Sequence, residues 1–423
     1  MIYHGIFLFK TFYGVIISSI VIGLNKYKIR KMEDRMSKIS NKKVRSRYIT
    51  VFATFLAFMG IGVVDPILPT IAKHIGASHW QIEMLFTAYI LTMAIMMIPS
   101  GILATKLGDK KMMCIGLGIV TIFSLLCAVS NGISQLSIFR AGWGFGNSMF
   151  FATAMMLLIA FSDDANRAIG LYEAAIGLGM AGGPLLGGIL GGYSWRYPFI
   201  ATSCLIFIAF ILVKFLVYQP EVKTKRKAIG GKELINLIKF PPFIKVAMAS
   251  MCYFYGFFVI LAYSPLVIKL SPIKLGFVFF GWGLMLAYGS AVLSHRLEEK
   301  FQPSVILPWS LVIFMIFLGG LYFTNSLEVR IALVVLSGLV SGLNNALFTS
   351  HVMEVSPYER GITSGAYNFV RWLGAAIAPV LSGVIGHAFS SNIPFALASV
   401  VMLVGIFLVA GKHKQEIELE KVA

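Results

Sequence analysis

Residues 179 to 188 read GMAGGPLLGG and lie within an uncharged segment that runs from Ala174 to Tyr193. So many glycines, together with a proline, would destabilise a helix in water. In a membrane, glycines spaced three and four residues apart allow a second helix backbone to approach closely, and neighbouring helices re-satisfy the carbonyl group that a proline frees. The segment therefore predicts a bent, tightly packed transmembrane helix.

The composition of the whole chain extends this prediction to a polytopic membrane protein. Of its 423 residues, 58% are hydrophobic and 13% are charged, and the mean hydropathy is +0.83. These values lie far from those of soluble proteins, so they exclude a soluble enzyme. The four cysteines lie within apolar stretches, which favours a packing role over a disulfide or a metal site. We expect no cofactor and no bound metal.

A hydropathy window of about 19 residues finds twelve apolar spans. A polar, basic stretch from Tyr218 to Lys239 separates six spans from six, as in a transporter built from two bundles. We predict an all-α integral membrane protein with 12 transmembrane helices in two six-helix bundles, at 48–217 and 244–411, joined by a cytoplasmic linker at 218–243 and followed by a tail at 412–423. The predicted spans are 51–72, 84–104, 112–130, 136–160, 168–190, 197–217, 244–268, 273–294, 304–323, 329–350, 361–386 and 392–411.

The positions of Lys and Arg predict the orientation, since cytoplasmic loops hold the excess of these residues. Most of the 36 Lys and Arg residues fall on one side of the predicted spans, together with both termini. We therefore expect a multi-pass protein of the cell membrane with both termini in the cytoplasm. The net charge of +18 reflects this bias and the basic tract from Lys26 to Arg47. Attraction to anionic lipid headgroups explains such a charge without nucleic acid.

Residues 1–47 form an N-terminal extension with three possible interpretations. The segment from Ile6 to Leu24 is apolar apart from one lysine. It could be a thirteenth helix, a signal anchor, or sequence upstream of the real start codon. A thirteenth span would move the amino terminus outside, whereas Met32 and Met36 each precede a short basic leader. We favour the third interpretation.

The decapeptide resembles GxxxGPxxGG, the fifth-helix motif of drug:proton antiporters in the major facilitator superfamily. A loop between the second and third spans resembles the superfamily motif GxLaDrxGrkxxl. It has Thr105 where an aspartate is usual and Asp109 where a basic residue is usual. Thr105 could cap a facing helix and Asp109 could supply the missing charge. The resemblance implies that the two motifs control conformation through Gly101, Thr105, Lys106, Gly108, Asp109 and Lys110 in the loop, and Gly179, Gly183, Pro184, Gly187 and Gly188 in the helix.

Charges within a membrane are costly unless they are paired or hydrated, and three of them predict a proton pathway. Asp65 lies about 6 Å beyond the midpoint of the first span, and Arg140 lies about 12 Å outward in the fourth. We predict an Asp65–Arg140 pair that breaks when Asp65 is protonated; the alternative is that Arg140 snorkels to the interface. Arg140 also opens a segment that resembles the fourth-helix motif RxxqGxgaa, which implies proton transfer. Glu173 could be a second protonatable site, or an acid placed by the helix dipole.

Arg371 is the strongest membrane charge in the second half. It could bind an anionic group, act as a fixed charge that stabilises the ionised form of a nearby carboxylate, or form a purely structural pair. Its surroundings resemble the eleventh helix of bacterial aromatic-compound and drug exporters, and its position near the middle of that span predicts that it faces a cavity. Trp143 replaces the usual glutamine of the fourth-helix motif and adds an aromatic wall. Aromatic and Met side chains suit apolar or aromatic solutes. The predicted cavity residues are Arg371, Trp143, Tyr253, Tyr255, Asn344 and Asn368.

The sequence has no G-x-x-x-x-G-K-[ST] motif, which argues against an ATP-driven exporter. We predict proton-coupled export of hydrophobic or aromatic small molecules by alternating access. Two alternatives stay open: a dedicated exporter of one metabolite such as a siderophore, and a receptor or scaffold without transport. The expected partners are a small-molecule substrate, protons and the lipid bilayer, but not nucleic acid. We expect a monomer that is not an enzyme.

Overall fold

The structure is a computed structural model that describes residues 40–77, 79–162, 164–219, 231–358 and 360–410. Within these ranges all of the regular secondary structure is helical. The predicted extension up to residue 39, residues 220–230 of the predicted linker and the tail at 412–423 lie outside the described residues.

Twelve helices in the described residues are long and apolar enough to cross a membrane, which confirms the predicted number. We number them α1 to α12 in chain order. They are Ser40–Ile75, Met84–Leu107, Asp109–Ala128, Ile133–Ala160, Arg167–Gly191, Tyr197–Leu216, Pro241–Val267, Ile273–Glu298, Pro303–Phe323, Leu327–Val355, Ile362–Ala388 and Ile393–Ala410. A short helix, Gly231–Lys239, precedes α7 in the polar stretch between the halves.

The first helix, α1, begins at Ser40, within the segment that the sequence analysis assigns to an extension. Its polar residues are compatible with a buried helix because their hydroxyl groups donate to carbonyl oxygens one turn earlier. Thr50 and Thr54 make such bonds at 2.8 Å. Ser46 is buried and accepts a 2.7 Å hydrogen bond from the backbone N–H of Tyr218, at the end of α6. Residues 40–45 are exposed, and the contact fixes the start of α1 through Ser46. Hydropathy averaging over the adjacent lysines does not detect these polar first turns.

Three of the spanning helices change their winding along their length. In α1 the residues Asp65–Ile67 form a 3₁₀ turn. Pro66 and Pro69 explain this turn, because proline has no N–H to donate to the helix. Single π turns interrupt α7 at Val259–Tyr263 and α8 at Gly289–Leu293. Turns of this kind often occur at functional positions in helices.

The helices form two halves with the same internal contacts. In the first half α4 packs against α2 and α3, and α3 packs against α6. In the second half α10 packs against α8 and α9, and α9 packs against α12. The halves meet mainly where α5 lies against α8 and α2 lies against α11. Each half is therefore one six-helix bundle, as the sequence predicts.

The glycines of α5 bring its backbone into direct contact with α1. A side chain at any of three of these positions would collide with the α1 backbone, so the contact requires glycine there. A methyl group at Gly179, Gly183 or Gly187 would lie 2.5, 2.4 or 2.0 Å from the carbonyl oxygen of Phe55, Met59 or Val63, respectively. On the α8 side, a methyl group at Gly283 would lie 2.3 Å from the Cβ atom of Ala181. The predicted tight packing of α5 is thus present against both neighbours.

We expect Gly187→Ala to lower the free energy of unfolding by about 1–3 kcal/mol, because the new methyl group forces α1 and α5 apart. Gly170→Ala is the matched control in the same helix, since a methyl group there meets no atom within 4 Å. The measurement is the apparent melting temperature of each variant in detergent. Equal melting temperatures for the two variants would contradict the close contact.

Candidate functional site

A small cavity lies between the two halves, where α1 and α5 meet α7, α10 and α11. Most of its wall consists of apolar and aromatic side chains. Three polar side chains also line it: Glu173, Asn345 and Arg371. Its volume of about 10 Å³ leaves room for roughly one water molecule. The halves therefore close around these polar groups in the conformation described.

Glu173 reaches the cavity from α5 and is 1% exposed. Helical winding begins at Ala165, two residues before the spanning part of α5, so Glu173 lies about two turns inside the helix and not in its first turn. One carboxylate oxygen, Oε1, accepts a 3.1 Å hydrogen bond from Oγ1 of Thr349 on α10. The other oxygen, Oε2, has no hydrogen-bond partner. This carboxyl group thus joins the halves and keeps one oxygen free.

Arg371 lines the same cavity from α11 and is 2% exposed. Its guanidinium carbon lies 4.8 Å from the ring centre of Phe254 and 4.9 Å from that of Tyr367. Nη1 also lies 3.4 Å from the Tyr367 hydroxyl oxygen, while Nε has no hydrogen-bond partner. Aromatic faces attract a cation and compensate in part for its removal from water.

Glu173 and Arg371 share one cavity although they come from different halves. No hydrogen bond joins these two described side chains, yet each lies in the electrostatic field of the other. Oε2 of Glu173 and Nε of Arg371 both lack a hydrogen-bond partner. A ligand that enters between the halves would therefore meet a carboxyl group, a guanidinium cation and aromatic rings together.

Arg140 occupies a second aromatic cage, within the first half. Its side chain is fully buried, which excludes snorkelling to the interface, and its three nitrogens have no hydrogen-bond partner. The guanidinium carbon lies 4.4 Å from the ring centre of Tyr89, 5.0 Å from that of Trp143 and 5.9 Å from that of Phe86. The hydroxyl group of Tyr89 in turn accepts a hydrogen bond from Asn147 Nδ2.

The predicted Asp65–Arg140 pair is not formed in this structure. Asp65 is 1% exposed, and neither carboxylate oxygen has a hydrogen-bond partner. Arg140 is still the charged residue whose field acts on Asp65. The 3₁₀ turn that contains Asp65 packs against α5 and α8, whereas the aromatic rings occupy the faces of Arg140. Counting residues placed the two groups at neighbouring depths but could not give their direction around each helix.

The other predicted cavity residues are buried outside the lining of the cavity. Trp143 belongs to the cage around Arg140, and Tyr255 is buried in α7. Tyr253 donates a 2.8 Å hydrogen bond to the Ser341 carbonyl oxygen. Asn344 accepts a 2.5 Å bond from Ser310, and Asn368 donates a 3.2 Å bond to Ser364. In this conformation these five residues are buried and do not line the cavity.

The predicted cavity set omits two residues: Asn345 lines the cavity, and Thr349 donates to Glu173. The two lie four residues apart and thus share one face of α10. Adjacent side chains on a helix point about 100° apart, so either Asn344 or Asn345 could have faced the cavity. The aromatic cages around the arginines are easier to recognise in the sequence. Trp143 follows Arg140 by one helical turn, and Tyr367 precedes Arg371 by one, so each ring shares a helix face with its arginine.

The loop motif forms a tight connection between α2 and α3. Gly108 has φ +85°, a conformation that strongly favours glycine, and the next helix begins at the following residue. The Thr105 hydroxyl donates a 2.7 Å bond to the Ile102 carbonyl oxygen of its own helix, so the expected cap on a facing helix is not formed. Lys106 is exposed, and Lys110 lines a groove on the outer surface of the first half.

Residues 50–379 match the family model of the Major Facilitator Superfamily. The chain is 37% identical over 391 residues to the multidrug efflux protein YfmO of Bacillus subtilis, covering 90% of this chain and 98% of that protein. It is 25% identical over 396 residues to the quinolone resistance protein NorA of Staphylococcus aureus, covering 90% and 99%.

Among solved structures, the human organic anion transporter MFSD10 (TETRAN) has a similar fold. The TM-score is 0.71 at 15% sequence identity, and the match covers 87% of this chain and 99% of that one. The two six-helix halves, the matched model and the full-length similarity to bacterial relatives agree with one another. The chain belongs to the Major Facilitator Superfamily of membrane transport proteins.

Proposed function

We propose that this protein exports hydrophobic or aromatic small molecules across the cell membrane in exchange for protons. The observation that carries the proposal is the cavity in which Glu173 of the first half and Arg371 of the second half meet aromatic walls. The relatives support it, since one is a multidrug efflux protein and another a quinolone resistance protein. The distribution of basic residues supports an orientation with both termini in the cytoplasm.

Transport by this site requires the halves to separate. Binding sites for drug-sized molecules have volumes of about 300–1,000 Å³, far more than the cavity between the closed halves. Rocking of the two bundles would open the cavity to one side of the membrane and then to the other. The contact of α5 with α8 limits that motion, so the bend at Gly183 and Pro184 is where we expect it to pivot.

Protonation of Glu173 would favour this separation. A carboxylate accepts a stronger hydrogen bond than a neutral carboxyl group does. The bond from Thr349 thus holds α5 to α10 more firmly while Glu173 is ionised. Asp65 is the second candidate, because it is buried at the break in α1 and lies in the field of Arg140. In this scheme the binding or release of a proton at one of these carboxyl groups would accompany each opening of the cavity.

Asp65→Asn is expected to abolish substrate-dependent proton release if Asp65 carries the proton. The assay uses everted membrane vesicles with an acidified lumen, to which aromatic cations such as ethidium are added one at a time while the lumenal pH is followed. Glu328→Gln, which alters an exposed acid in α10, should release protons like the wild type. Full release by Asp65→Asn would move the coupling to Glu173.

Glu173→Gln should also uncouple transport, because the side chain keeps its shape but can no longer exchange a proton. Glu299→Gln is the matched control, since Glu299 is 60% exposed. Thr349→Val removes the bond across the halves and leaves the carboxyl group intact, so it should shift the pH dependence of transport without abolishing it. Normal pH-dependent transport by Glu173→Gln would refute its role.

A second candidate function, export of one acidic metabolite, is favoured by the cation of Arg371 in the cavity. Under this proposal Arg371→Gln weakens binding of anionic aromatic compounds roughly 30-fold, because a buried charge loses its partner. Arg371→Lys should retain much of the affinity. Binding is measured by titration of the purified protein. If Arg371→Gln reduces the binding of neutral compounds to the same degree, charge recognition is excluded.

A further inference from the structure

A groove of about 550 Å³ lies on the outer surface of the first half, between α3 and α6 and away from the cavity between the halves. Isoleucine side chains of α3, including Ile115 and Ile122, form one wall together with the ring of Phe210 from α6. These isoleucines are 42% and 59% exposed, so the groove opens toward the surrounding membrane. Its size is that of a binding site for a small amphiphile.

The groove exists because α3 and α6 are held together along only part of their length. Ser203 Oγ donates a 2.8 Å hydrogen bond to the Thr121 carbonyl oxygen. Beyond it, Arg196 Nη1 donates a 2.6 Å bond to the carbonyl oxygen of Ala128, at the end of α3. Toward the beginning of α3 the two helices border the groove. Gly118 deepens it, since a methyl group there would meet only the Phe210 ring, at 3.8 Å.

Three lysines line the groove: Lys110 and Lys111 at the start of α3, and Lys214 near the end of α6. The Nζ atom of Lys214 lies 5.5 Å from the ring centre of Phe210. No acidic residue is among the described side chains that line the groove. The basic end therefore attracts an anion and repels a cationic amphiphile.

The groove has the length of one membrane leaflet. Lys110 and Ile122 are separated by twelve residues on α3, or about 18 Å at 1.5 Å per residue. Half of a hydrocarbon core of about 30 Å is about 15 Å. The charges at one end and the apolar surface below them thus match a headgroup and its acyl chain. In the proposed orientation the lysines lie at the cytoplasmic surface.

We infer that an anionic phospholipid of the cytoplasmic leaflet binds in this groove. Its phosphate contacts Lys110, Lys111 and Lys214, and one acyl chain lies against Ile115, Ile122 and Phe210. The lipid fills the space that α3 and α6 leave between them. This site is separate from the cavity of Glu173 and Arg371, so it does not depend on which solute the protein exports.

The test is the binding of phosphatidylglycerol to the purified full-length protein in neutral detergent, measured by native mass spectrometry and by the rise in melting temperature. Phosphatidylcholine and inorganic phosphate are titrated in parallel. The double variant Lys110→Gln/Lys214→Gln removes two of the charges. The matched control is Lys245→Gln/Lys300→Gln, which alters two exposed lysines outside the groove. Gly118→Leu fills the groove and leaves its charges in place.

We expect the affinity for phosphatidylglycerol to fall roughly 30-fold in the groove variant, because each of the two lysines contributes about one kcal/mol near a lipid surface and about 1.4 kcal/mol corresponds to a factor of ten. The control should bind like the wild type, and Gly118→Leu should lose binding without any change of charge. The lysines are at the surface, so their variants should fold even if Gly118→Leu does not. Equal loss in the control, equal binding of phosphatidylcholine, or displacement of the lipid by inorganic phosphate would each overturn the assignment.

Discussion

The contact of α5 with its two neighbours is the constraint on which the architecture depends. Lipid tails are as apolar as leucine side chains, so the hydrophobic effect does not drive helices together within a membrane. Close van der Waals packing has to do so instead. Gly179, Gly183 and Gly187 allow it against α1, and Gly283 of α8 allows it on the opposite side. Because α5 belongs to one half and α8 to the other, the same packing that builds the first bundle also defines the surface against which the second one moves.

Both buried arginines are stabilised mainly by aromatic faces and not by ion pairs. Arg140 lies among Phe86, Tyr89 and Trp143, and Arg371 lies between Phe254 and Tyr367. A carboxylate partner would neutralise each arginine but would then be unable to exchange a proton freely. Aromatic cages avoid this conflict, because they stabilise the cation without using an acid. Asp65 and Glu173 consequently keep carboxylate oxygens without hydrogen-bond partners.

The sequence predicted the parts of the fold that depend on local properties. Hydropathy located the twelve spans, prolines indicated the break after Asp65, and glycine spacing indicated the close packing of α5. The sequence did not predict contacts that depend on the direction in which a side chain points around its helix axis. Depth along α1 and α4 suggested the Asp65–Arg140 pair, and composition suggested Asn344, whereas the adjacent Asn345 lines the cavity. Arg371 was found because a charge near the middle of a span can hardly avoid the protein interior.

The bonds between α3 and α6 have a mechanical consequence for the first half. Arg196 fastens these helices at one end and Ser203 fastens them farther along, while their opposite ends are separated by the groove. The two helices are therefore held together at one end and can separate more easily at the opposite end, where the groove lies. Lateral pressure in the leaflet that contains the groove would act first on the ends that lack such bonds. A change of membrane thickness or curvature would consequently alter the spacing of α3 and α6 at the groove more readily than at their hydrogen-bonded ends.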